Sequence, residues 1–300
     1  MLLRMDCHLE RTGQPRTSTT KIEWHYPRDQ LTENILHAID CGASTSLTLV
    51  APMKMGKTDF LCLDLMPEAL KRGYRPVYAS FKSHVNHPAT ILSHAIGSTL
   101  TPMSPIGTVQ PEPHSETYLK KPHTRTTEFY TLGSDAAVPH TDRTDIAQIT
   151  HLQSQFHALL MRHERILLCL DDVDGLTVHS TALSFLYSLR SILEQNRDRI
   201  AVVFTGSDHA LLQVIFRDPK AALFKSSVFI DLPTLGDGFI EHIRACSRQT
   251  SGRAFPITEG QHAFAMVGRS PFVFRSLVAS MLESASNDIV GRALDLRSGP

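Results

Sequence analysis

The chain has 300 residues and balances 30 Lys and Arg against 30 Asp and Glu, so its formal net charge is zero. That length allows one large domain, or a medium one with a small one. The apolar share of 42% is ordinary for a globular protein, and the neutral balance excludes a surface wholly given over to nucleic acid or an anionic membrane.

Residues 1–25 are polar and irregular and read as an N-terminal arm. "YPRDQLTENILHAIDCG" follows, with Leu31, Ile35, Leu36 and Ile39 at helical spacing and Gly42 as a stop. "STSLTLV" predicts a short buried strand. From Gly56 to about Arg72 the pattern is helical, closed by Lys71, Arg72 and Gly73. "RPVYASF" predicts a second strand, and "HPATILSHAIGSTL" a helix with Pro88 near its start.

Residues 101–144 break the rhythm. They are rich in Pro, Thr and His, and a stretch this long without periodicity reads as an insertion between core elements. "TEFYTL" within it predicts one strand of a small hairpin. Regularity returns with a helix on which Ile149, Leu152, Phe156, Leu159 and Leu160 share a face. "RILLCLDDVDGL" is an apolar strand ending in acids. A helix carrying Ala182, Phe185, Leu186, Leu189 and Leu193 follows, then the strand "RIAVVFTGSD", a short helix and a last strand, "SVFIDLP". Beyond Pro233 the pattern is only helical, over about Asp237–Gln249, Thr258–Val267 and Pro271–Ser284. Strands alternating with helices imply a parallel sheet covered on both faces. The domain reading is an arm over 1–25, an α/β domain over 26–235 and a small helical domain over 236–300.

The five cysteines, Cys7, Cys41, Cys62, Cys169 and Cys246, form no C-x-x-C pair and suggest a reducing compartment. The first residues are too polar for a signal peptide, and the longest apolar runs, such as "ILLCL", are strand-length. The expectation is a cytoplasmic protein with no membrane span. His84 and His87 have spacing that a metal site could use, but no Cys or carboxylate stands near them, so they read as solvated loop residues.

The chemistry concentrates in three stretches. Ala51, Pro52, Met53, Lys54, Met55, Gly56, Lys57 and Thr58 match G-x-x-x-x-G-K-[ST] except that Ala stands for the first Gly. The stretch follows a strand and opens a helix, so its N–H groups form an anion nest at a positive helix end. Lys57 would neutralise the β- and γ-phosphates, Thr58 would bind Mg²⁺, and Asp59 continues the loop into the helix. Lys54 adds a second positive charge. The acidic strand end supplies Asp171 as Mg²⁺ partner and Asp172 as general base, with Asp174 as a substitute base. At the end of "VVFTGSD", Thr205 or Ser207 would orient the attacking water or sense the γ-phosphate.

Together with "YPRDQL", "FIDLPTLGDGFIEHI" and "VGRSPFVFRSLV", these stretches resemble the AAA+/STAND branch of P-loop ATPases, especially origin-recognition-like ATP-binding proteins of bacteria and archaea. The resemblance spans about residues 26–285. It implies a three-layer α/β/α sandwich around five parallel strands in the order 5-1-4-3-2, with a C-terminal helical domain. It implies ATP and Mg²⁺ as ligands, "YPRDQL" near the adenine, Arg217 as an arginine finger offered to a neighbouring subunit, and Arg269 as a cis sensor. Asp172 stands where the family usually has Glu, one methylene longer, which bears on hydrolysis more than on binding.

The reading is therefore an ATP-driven switch that hydrolyses ATP and acts on a partner, through self-association or a protein bound at the ATPase domain. The alternatives are a nucleic-acid-associated AAA+ regulator in transposition or replication, and a non-hydrolysing nucleotide-dependent scaffold. "LKKPHTR" is the one locally basic stretch of the insertion, and the balanced charge does not favour nucleic acid. A small-molecule kinase would want a lid and an acceptor pocket, which the helical C-terminus does not suggest.

Overall fold

The computed structural model describes residues 24–82, 87–100, 143–178, 181–283 and 288–297. Residues 1–23 of the arm, the expected "TEFYTL" strand, His84 and residues 101–142 of the insertion lie outside them. The described chain divides into two units, one of Pro27–Thr234 with Ser270–Phe272, the other of Leu235–Arg269, the residues from Val273 on and the segment up to Tyr26.

The first unit is built on five parallel strands in the order β2-β3-β4-β1-β5. They are β1 (Ser46–Val50), β2 (Tyr74–Ser80), β3 (Arg165–Asp171), β4 (Ile200–Gly206) and β5 (Val228–Asp231). The central β3 and β4 are apolar almost throughout because neighbours flank them and helices cover both faces. Alternate residues point to opposite faces. Ile166, Leu168 and Leu170 join a core with α4 (Pro88–Leu100), α5 (Arg143–Arg162), α6 (Thr181–Gln195) and α7 (His209–Phe216). Leu167 and Cys169 join the opposite core with α1 (Asp29–Asp40) and the helix after β1.

That helix runs from Lys57 to Lys71, as α2 (Lys57–Asp59), a π-helical stretch (Phe60–Leu65) and α3 (Met66–Lys71). Periodicity shows one continuous helix there, and the π stretch carries no apolar signal of its own. A 3₁₀ turn, Val173–Val178, follows β3. On α5 the deeply buried face is Leu152, Phe156 and Leu159, with Ile149 and Leu160 packed at its margin.

The second unit comprises α8 (Asp237–Ser251), α9 (Ile257–Met266), most of α10 (Pro271–Glu283) and α11 (Ile289–Arg297). Its core is aromatic, with Phe264 5.2 Å, ring centre to ring centre, from both Phe239 and Phe274. Trp24 and Tyr26 pack against it, so the expected boundary at 26 falls one residue later in the structure. The pattern reading missed α11, whose nine residues contribute only Ile289 and Ala293 as fully buried apolar side chains.

Candidate nucleotide site

In a parallel sheet, loops at the carboxyl ends of adjacent strands meet. Here β1 lies between β4 and β5, and β3 lies one strand further on, so the loop after Val50, the acids after Leu170 and the polar end of β4 share one edge.

Ala51 is buried and its N–H bonds the Gly206 carbonyl. The positive φ values of the loop fall at Lys54 (66°) and Gly56 (88°), not at Ala51. Ala therefore substitutes for Gly there without backbone strain, while Gly56 holds a conformation that favours glycine. Met53 projects into solvent and the Met55 side chain is buried in the core beneath. Within the same unit, Ser270 donates to the Lys54 carbonyl at 2.9 Å and the Lys54 ammonium lies 5.7 Å from the centre of the Phe272 ring.

Lys57 is only 6% exposed. Its ammonium donates to the carbonyls of Ala51 (2.8 Å) and Pro52 (3.1 Å) and to the Ser207 hydroxyl (2.7 Å). Burial lowers its pKa, and Asp172, Asp171 and Asp174 pull the other way. A cation held by exchangeable neutral acceptors beside an anion nest is free to transfer those bonds to phosphate oxygens.

Asp171 is 1% exposed and accepts three hydroxyls. Thr58 donates to Oδ2 at 2.6 Å, Tyr78 to the same oxygen at 2.9 Å, and Thr205 to Oδ1. The Thr58 hydroxyl and the Asp171 carboxylate are hard oxygen donors side by side, which fits Mg²⁺. Thr205 is fully buried, and its oxygen also accepts the Asp172 N–H at 3.1 Å. The structure thus places Thr205 beneath the carboxylates rather than facing attacking water. Ser207, just past β4, is the hydroxyl bonded to Lys57.

Asp172 has φ of 55°, a left-handed conformation that Asp tolerates better than most side chains. Burial, and then the neighbouring Asp171, push its carboxyl up to about 6, against the opposing pull of Lys57 and Lys82. Asp174 accepts the backbone N–H groups of Ser207 (3.0 Å) and Asp208 (2.9 Å). That carboxylate is spent on orienting the β4 end, which does not suit it as a substitute base. Asp59 is half-buried at the start of the helix.

Tyr78 and Lys82 escaped the sequence reading. Tyr78 sits inside a strand pattern where any half-buried aromatic looks alike, and Lys82 just past β2 looks like a solvated loop residue. Arg217 caps the end of α7, exposed, with its guanidinium 4.8 Å from the centre of the Phe229 ring on the edge strand β5. It is not in the set gathered around Lys57. Arg269 is exposed in the helical unit at φ of 53°, its N–H bonded to the Phe264 carbonyl. Burial pushes the Cys62 thiol up to about 12. Among the described residues there is no cluster of three or more His, Cys, Asp or Glu able to hold a metal, and no helix long and apolar enough to cross a membrane.

No protein-family model and no curated protein matches the chain. Solved structures do. The chain is similar to a Walker-type ATPase of Pyrococcus abyssi, with a TM-score of 0.55 at 12% identity over 92% of this chain and 73% of that one. It is similar to the Orc2 protein of Aeropyrum pernix in ADPNP–ADP complexes, with a TM-score of 0.55 at 16% identity over 90% and 69%. It is similar to the Orc1 protein of Aeropyrum pernix in complex with DNA, with a TM-score of 0.55 at 11% identity over 93% and 67%. At such identities the likeness is one of fold. The chain shares the fold of these proteins, a five-stranded parallel sheet between helical layers, followed in the chain by further helices.

Proposed function

We propose that this protein binds Mg–ATP at the Ala51–Thr58 loop, hydrolyses it to ADP and phosphate, and uses that cycle as a switch on a partner. The observation that carries the reading is the single hydrogen-bonded edge on which the Lys57 ammonium meets Ser207 while the Thr58 hydroxyl meets Asp171. Mg²⁺, when bound, would neutralise phosphate charge. Thr58 and Asp171 would hold it. Lys57 would exchange its carbonyl partners for β- and γ-phosphate oxygens. Ser207 would contact the γ-phosphate, and Asp172 would accept a proton from the attacking water. Arg217 would serve a neighbouring subunit and Arg269 would act in cis.

A second reading, a nucleotide-gated scaffold with slow turnover, draws on Asp172. Its side chain is one methylene shorter than Glu, so its carboxylate reaches less far toward an attacking water. A DNA-associated regulator rests only on the likeness to a protein solved with DNA.

The test is ATP binding and phosphate release by wild type, Lys57→Ala and Asp172→Asn, each at low and high protein concentration. The switch reading expects binding to be lost in Lys57→Ala and retained in Asp172→Asn, with turnover abolished in both. Binding without turnover at any concentration selects the scaffold. Unchanged ATP affinity in Lys57→Ala rejects the site. Salt-sensitive retention on DNA selects the regulator.

A further inference from the structure

Arg28 precedes α1 and lies in the stretch whose resemblance points to the adenine. Its contacts are elsewhere. One guanidinium nitrogen donates to the Met55 carbonyl at 3.1 Å, and the other donates to the Pro233 carbonyl. Its backbone N–H donates to Asp64 Oδ2 at 3.2 Å. Asp64 is buried and lies in the π-helical stretch of the helix that the phosphate loop opens. One half-buried arginine therefore joins the start of α1, the phosphate loop, the helix behind that loop and the chain just past β5.

We propose that Arg28 is a positioning residue for the phosphate-binding nest, acting through the Met55–Gly56 peptide. In a trans peptide the C=O and the following N–H point in opposite directions. Holding the Met55 carbonyl on the Arg28 side turns the Gly56 N–H the other way, into the concave side of the loop. A guanidinium on the carbonyl also polarises the peptide, so its N–H becomes a stronger anion donor. The planar fork matters because its two nitrogens reach two carbonyls at once, which a lysine ammonium on a flexible stem does less well. The inference rests on the loop being a nucleotide site.

The experiment measures binding of Mg–ATP and of Mg–tripolyphosphate, which has no base or sugar, to full-length wild type, Arg28→Gln and Arg28→Lys by calorimetry, with thermal unfolding beside it. Arg28→Gln is expected to weaken both ligands by the same factor, about tenfold, with Arg28→Lys between it and wild type. If Arg28→Gln does not fold, Arg28→Lys carries the comparison. A loss confined to ATP would place Arg28 at the base or sugar and overturn the proposal. Unchanged affinities for both ligands, with or without a lowered unfolding midpoint, would make it merely structural and also overturn it. Wild type that binds neither ligand would remove the nucleotide reading itself, and this inference with it.

Discussion

The most constrained residue of the site is Asp171, a nearly fully buried carboxylate with hydroxyls on both oxygens. Burial, and then repulsion by Asp171, push the carboxyl of its neighbour Asp172 up to about 6. The sign of the stability effect follows. In the nucleotide- and metal-free protein the folded state favours protonated Asp172. Its cost is absent below the unfolded value near ~3.9 and grows as pH rises toward about 6. Asp172→Asn is expected to stabilise that form near neutral pH by up to about 1 kcal/mol, after allowance for solvent screening. The gain should vanish below roughly pH 4, and denaturant midpoints at the two pH values check it. At this scale the sequence singled out Lys57, Thr58 and Asp171 as candidates, because their spacing follows a strand–loop–helix, and the structure joins Thr58 to Asp171. The sequence could not separate Thr205 from Ser207. Both are small hydroxyls two positions apart, and only burial tells the one beneath the acids from the one beside the lysine.

Among the elements, the 3₁₀ turn Val173–Val178 has a precise task. It carries Asp174, whose carboxylate holds the backbone of Ser207 and Asp208. The turn lies so close to β2 that a Cβ on Gly175 would sit 2.3 Å from the Phe81 carbonyl oxygen, so backbone must move to admit any side chain. Gly175→Ala is expected to destabilise the first unit by about 2 kcal/mol and to slow phosphate release by displacing Asp174. Thermal unfolding and turnover on the same preparation check both. Strands were legible as elements because β3 and β4 are buried on both faces and read as unbroken apolar runs. The π stretch and the 3₁₀ turn were not, since neither changes the hydrophobic period enough to be seen in six residues.

At the scale of the molecule, the chain builds separate cores, two against the faces of the sheet and one among the C-terminal helices. Arg217 belongs to this scale, because it is exposed beside Phe229 of the edge strand β5. An edge is where a neighbouring subunit can reach it. If Arg217 serves such a neighbour, Arg217→Ala leaves ATP affinity unchanged and removes any rise of turnover with protein concentration. Phosphate release over a dilution series, with light scattering for mass, decides this.

What the sequence determined by itself was local and periodic. Alternating apolar runs and helical stripes set the α/β class, and the loop with its distant acidic strand end marked a candidate site, because short-range sterics restrict which residues stand at those spacings. What the tertiary structure decided was which of several equivalent polar residues meet. Arg28 reaches Met55 and Pro233, Tyr78 reaches Asp171, and Asp174 turns to the β4 backbone rather than to water. These partners lie far apart in the chain and are joined only by strand order and packing, which no local pattern encodes.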